Sequence, residues 1–141
     1  MAFIASTVSL QRGFEQLQTV AQQEKVYLAQ WSAKLAGNIT ALDAMEWVSN
    51  IARAVAAMDA VATLPGMAAY AQTQFGSGTY DVAAEYTSMK NALNAIAAWL
   101  KTNIPANAIT ISNGVAVGAS YAPAATSPLK TLVDAAAATI A

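Results

Sequence analysis

An all-α fold is what this sequence predicts: an antiparallel bundle of three long helices plus a C-terminal helix, with one β-hairpin inserted before the last helix. Three observations carry that expectation. Large apolar residues recur at alternating steps of three and four along three long segments, the spacing that keeps them on one helix face. Alanine, the strongest helix former, supplies 35 of the 141 residues. Ahead of the last helix the period switches to two on either side of an Asn-Gly pair, the sequence mark of a tight hairpin.

The first helix is expected from about Val8 to Ala36. Leu10, Phe14, Leu17, Ala21, Glu24, Leu28, Trp31 and Leu35 form its seam, unbroken except for one acid. Ser6 or Thr7 is placed to cap its start, and Gly37 to end it in a left-handed conformation. The second helix follows Thr40, which with Asp43 three residues on makes a capping-box pattern. Its stripe is Ala44, Val48, Ile51, Val55, Met58 and Ala62, widened by Trp47 and Ala54. Leu64-Pro65-Gly66 ends it, because proline disfavours helix at the residue before it. The short link Gly37–Ile39 makes these two helices an antiparallel pair.

Met67 to Phe75 reads as a short helix or connector closed by Gly76-Ser77-Gly78. The third helix is expected from about Tyr80 to Thr102, capped by Thr79, with Val82, Tyr86, Met89, Leu93, Ile96 and Leu100 on its stripe. Asn103-Ile104-Pro105 ends it. The hairpin, about residues 108–118, places Ile109, Ile111, Val115 and Val117 at alternate positions around Asn113-Gly114. An isolated hairpin is marginal in water, so this one must lie on the helices or pair with another strand. Gly118 to Ala125 reads as a loop. Ser127-Pro128 reads as the cap and first residue of the last helix, about 128–140, with Leu129, Leu132, Val133, Ala136 and Ile140 on one face. No charge follows Asp134, so that end either frays or is buried.

Composition excludes much chemistry. There is no cysteine and no histidine, which removes thiolate and imidazole catalysis, disulfides and Cys/His zinc sites. Seven basic residues against eight acidic ones leave a net charge of −1, and nucleic-acid binding, which needs a concentrated basic face, is not expected. The charged fraction of 11% is well below the roughly 25% of an average soluble domain. A surface so short of charge is poorly protected against association. The length fits a single domain over 1–141. The first basic residue is Arg12, so no secretory signal is expected. The uncharged stretches Ala60–Tyr80 and Thr102–Leu129 are broken by proline and glycine, so no transmembrane segment is expected either.

Glu24 is the one charge within a core seam. Pairing the first two helices about their short link sets it opposite Arg53, with Leu28 near Val48 or Ser49 and Leu35 near Leu42. A structural Glu24–Arg53 ion pair fixing the register of the two helices is the expectation. The acid pairs Asp43 with Glu46 and Asp81 with Glu85 fall in first helical turns, where they complement the helix dipole. Neither has a third oxygen ligand nearby, so no metal site is expected. Trp31, Trp47 and Trp99 read as packing residues. Gly76-Ser77-Gly78 has no lysine beside it and is no phosphate loop. No catalytic residue and no cofactor is expected.

What remains is assembly. The candidate interface is Ile109, Ile111, Asn113, Gly114, Val115 and Val117 of the hairpin, with Leu132 and Ile140 of the last helix. In composition and layout over its whole length the chain resembles small virion proteins of tailed bacteriophages, such as neck or head–tail connector subunits. Those are short, helical, free of cysteine and built into rings, often with a hairpin or tail that reaches a neighbour. Here Ile109–Val117 and Leu129–Ala141 occupy the places of such extensions. The resemblance implies a structural subunit of a homo-oligomer, with itself and other structural proteins as partners, located in the virion. Without that resemblance, a cytoplasmic location is expected. The alternative is an amphipathic helical protein that coats a lipid or polymer surface, similar to phasins. Firm caps and breaks, and few lysines beside the apolar faces, count against it.

Overall fold

The computed structural model describes residues 7–67, 70, 82–105 and 108–140. Helix α1 spans Thr7–Lys34, β1 Ile39–Thr40, α2 Ala41–Ala62 and α3 Val82–Asn103. Strands β2 (Ile109–Ser112), β3 (Val115–Gly118) and β4 (Ser120–Tyr121) follow, and α4 (Pro123–Ala138) ends the chain. Each helix packs on two others in the cyclic order α1-α2-α3-α4, so the four apolar stripes close on one shared core. The predicted seam of α1 is buried in full, Glu24 included. Met89, Leu93, Ile96 and Leu100 of α3 are buried as expected, and Leu129, Val133 and Ala136 of α4 fill the remaining side. In α2 the centre of the stripe lies one residue earlier than the spacing suggests. Trp47, Ala54 and Val61 are buried while Val48, Val55 and Ala62 are half-buried. Contacts on two sides, from α1 and α3, rotate the helix to that compromise.

The capping box opens α2 as expected. Thr40 Oγ1 accepts from the Asp43 N–H at 3.2 Å, and the Thr40 N–H donates to Asp43 Oδ2 at 2.9 Å. Three local expectations need correction. Gly37 is not left-handed; the last turn of α1 tightens instead, with the N–H groups of Ala36 and Gly37 donating to Ala33 and Lys34 carbonyls, and the chain enters β1 directly. The expected loop Gly118–Ala125 contains β4, which pairs antiparallel with β1 as Ile39 with Tyr121 and Thr40 with Ser120. The last helix begins at Pro123 rather than Pro128, because either proline suits a first helical position and Pro-Ala-Ala favours helix from the earlier one. Pro128 therefore lies inside α4.

The hairpin forms where expected. β2 pairs antiparallel with β3 from Ile109 with Gly118 to Ser112 with Val115. Its turn has φ of 51° at Asn113 and 76° at Gly114, the doubly positive combination that the Asn-Gly pair is suited to. Gly118 has a different job. A Cβ there would lie 2.9 Å from the Leu42 nitrogen, so only glycine lets β3 approach the start of α2 so closely. Most of the expected short helix Met67–Phe75, with Gly76-Ser77-Gly78, Thr79 and Tyr80, lies outside the described residues; within it, the Tyr70 N–H donates to the Gly66 carbonyl at 2.9 Å.

Candidate functional site

Glu24 sits midway along α1 with only 3% of its surface exposed. Its partner is not Arg53. Asn50 of α2, one turn earlier, places its amide nitrogen 3.0 and 2.9 Å from the two carboxylate oxygens, with the amide oriented so that it donates to both. Arg53 is exposed, and no ion pair joins it to Glu24. The helices do not keep a constant register along their length, and a short neutral amide enters the seam with less loss of hydration than a guanidinium. Burial pushes the Glu24 carboxyl up to about 7, while the Asn50 donor favours the charged form and opposes that shift.

Around this pair the α1–α2 seam is aromatic. Trp31 and Trp47 stack with ring centroids 5.1 Å apart and 18° between planes, and Tyr27 continues the stack at 6.3 Å. The two tryptophans are each 5% exposed, so they are packing residues with no free face for a ligand. A shallow cleft above them carries Gln30, Lys34, Glu46, Asn50 and Arg53 on its rim. Lys34 is engaged there, 2.9 Å from Asp43 Oδ1. Burial would raise the Asp43 carboxyl, but hydrogen bonds from the Thr40 N–H and Lys34, with the lysine charge, hold it below the usual carboxylate range. The cleft carries mixed charges, with Lys34 and Asp43 paired to each other.

A third cluster was not legible in the sequence, because Ser32 lies about a hundred residues from the other two members, Lys130 and Asp134. Ser32 Oγ donates to Asp134 Oδ1 at 2.8 Å, and Lys130 Nζ donates to Ser32 Oγ at 3.2 Å and to Asp134 Oδ2 at 2.8 Å. Serine beside lysine invites a nucleophilic reading. The hydrogens run the wrong way for it: both groups donate toward the carboxylate, on an exposed surface. Those bonds from Lys130 and Ser32 hold Asp134 below the usual carboxylate range. The cluster ties α1 to α4.

The proposed interface residues separate into two groups. On the hairpin, Ile111 is 72% and Val117 48% exposed, and Asn113 and Gly114 stand exposed at the turn. Ile109 is half-buried, and the Val115 side chain lies outside the described residues. On α4, Leu132 packs against the core, and beyond the end of the helix Ile140 is buried within it, so both belong to the bundle rather than to a surface. Below the hairpin an apolar groove of about 500 Å³ runs between α2 and α3, lined by Met45, Val48, Leu100, Ile104 and Ile109, with Lys101 as its one charge. Among the described residues no three acids converge to hold a metal ion. No helix among them is long and apolar enough to cross a membrane. Asp81 and the Glu85 side chain lie outside the described residues.

No protein-family model matches this chain, and no curated protein or solved structure is detectably similar to it.

Proposed function

We propose that the chain is a structural subunit of a larger homo-oligomeric complex and not an enzyme, with the neck or connector of a phage virion as its setting. The observation that carries this is the hairpin. It projects exposed Ile111 and Val117 from a bundle whose own seams are already closed, in a stretch with no charge between Lys101 and Lys130. Apolar residues held out on an uncharged two-stranded ribbon favour contact with another protein surface. The virion setting rests on layout: a short helical chain, free of cysteine, with one projecting hairpin. Its partners are then copies of itself and neighbouring structural proteins.

A coating role on lipid or polymer is the weaker reading, because the four apolar stripes are spent on the core. Gel filtration with light scattering across a range of concentrations tests the assembly reading. A mass well above 14.5 kDa supports it, and a monomer throughout removes it. Flotation with liposomes by a protein that stays monomeric would transfer support to the coating role.

A further inference from the structure

The hydrogen-bond phase of the hairpin decides which main-chain groups are left over. A two-residue turn at Asn113-Gly114 closes on Ser112 and Val115 as a hydrogen-bonded pair. Alternation then makes Thr110 with Val117 the next such pair, and Ala108 with Ala119 the one after. The Ala119 N–H does donate to the Ala108 carbonyl, at 2.8 Å. Ile109 and Ile111 fall between these pairs, so their N–H and C=O groups point off the outer edge of β2. Among the described residues no strand pairs with that edge and no backbone hydrogen bond leaves it. The β3 edge is closed at its end, where Gly118 abuts the first turn of α2. The segment Ile109–Ser112 has no charge and no proline, the devices by which edge strands avoid pairing.

We propose that β2 pairs antiparallel with β2 of a second copy, about a two-fold axis passing through Thr110. This rests on the self-assembly reading and adds its geometry. The axis at Thr110 sets Ile109 of each copy opposite Ile111 of the other, so the outward-pointing groups of both strands meet as hydrogen-bonded pairs, with roughly four new main-chain bonds. An axis at Ile111 would pair Ile109 with the turn residue Asn113. An axis between Thr110 and Ile111 would set outward groups against inward ones. Side chains two apart share a face, so the isoleucines of both copies gather on one side of the joined sheet. That side continues into the groove where Ile109 lies with Met45 and Val48. The occupant is the same uncharged edge, so no like charges oppose the contact. Two four-residue strands fall short of the roughly 800 Å² per partner of a stable interface, so the pair is weak and concentration-dependent by itself.

The absence of cysteine makes a clean test available. In this register Thr110 meets its own copy across a non-hydrogen-bonded position, with Cα atoms about 4.5 Å apart, within disulfide range. Ser112 stands two residues from the axis on each strand, about 14 Å from its copy. Thr110→Cys and Ser112→Cys are oxidised mildly at high protein concentration, with the helical circular dichroism of each variant checked against the parent. The expected result is disulfide dimer forming roughly tenfold or more faster for T110C than for S112C. Adding Ile111→Lys to T110C should slow it, since a charge then faces each strand. Equal rates overturn the pairing: with a large mass by light scattering they leave the assembly reading standing, and with a monomer at every concentration both fail.

Discussion

Glu24 concentrates the electrostatics of the bundle in one side chain. Its folded-state pKa, about 7, lies above the ordinary value of 4.5. The folded protein therefore holds a proton that the unfolded chain releases between those values, and stability falls as pH rises from about 4.5 through about 7. Below that window the order reverses: Asp43 and Asp134, both held low, lose their favourable interactions as they protonate. Glu24→Gln keeps an acceptor for Asn50 and removes the charge. It is expected to flatten the decline and to raise stability at pH 8 by roughly 1–3 kcal/mol, the Asn50 bond offsetting part of the full effect. Chemical denaturation at pH 5 and pH 8 reads this directly, and parallel pH curves for variant and parent would refute it. Asn50→Ala leaves the buried carboxylate without its donor and should cost about 1–3 kcal/mol at pH 8. Arg53→Met, at an exposed position, should stay within about 0.5 kcal/mol.

At the scale of elements, the start of α4 and the seat of the hairpin are the informative points. With Pro128 inside the helix, the Ala124 carbonyl loses its usual donor and the ring crowds the preceding turn. Pro128→Ala is expected to raise the melting temperature, by a gain of roughly 1–3 kcal/mol; a fall would mean that Pro128 acts as the first residue of a shorter helix. Gly118→Ala places a methyl group against backbone atoms of Ala41 and Leu42, which cannot swing aside as a side chain would. A loss of about 1–3 kcal/mol is expected, measured by thermal unfolding, and an unchanged midpoint would show that β3 is not seated on α2. The sequence made the three long periodic helices and the Asn-Gly hairpin legible because each repeats its signal several times. β1 and β4 were hidden because two residues are too few to show a period. The start of α4 was misplaced because two prolines five residues apart give the same local signal. Asn50 was missed as the partner of Glu24 because pairing by residue number treats the helices as parallel rods. A one-turn slip then exchanges one polar residue for another.

For the whole molecule, the described parts of the four stripes that look available for assembly in the sequence are consumed within the chain; the Val82 and Tyr86 side chains lie outside the described residues. Leu10 through Leu35, Ile51, Met58, Leu93, Ile96, Leu129 and Val133 form one core, and even Ile140 is taken into it. Among the described residues the large apolar side chains left exposed are Ile111 and Val117 on the hairpin, Met45 beside the groove, and Val26 and Tyr27 on α1. The hairpin lies in one of the two long uncharged stretches of the chain, the segment between Lys101 and Lys130. On the proposed function, the hairpin surface joins copies of the chain. Light scattering on a gel-filtration column, from low to high protein concentration, tests it most directly. A mass that exceeds 14.5 kDa and grows with concentration, and that Ile111→Lys returns toward the monomer, is the predicted result. A mass fixed at 14.5 kDa at every concentration would contradict it.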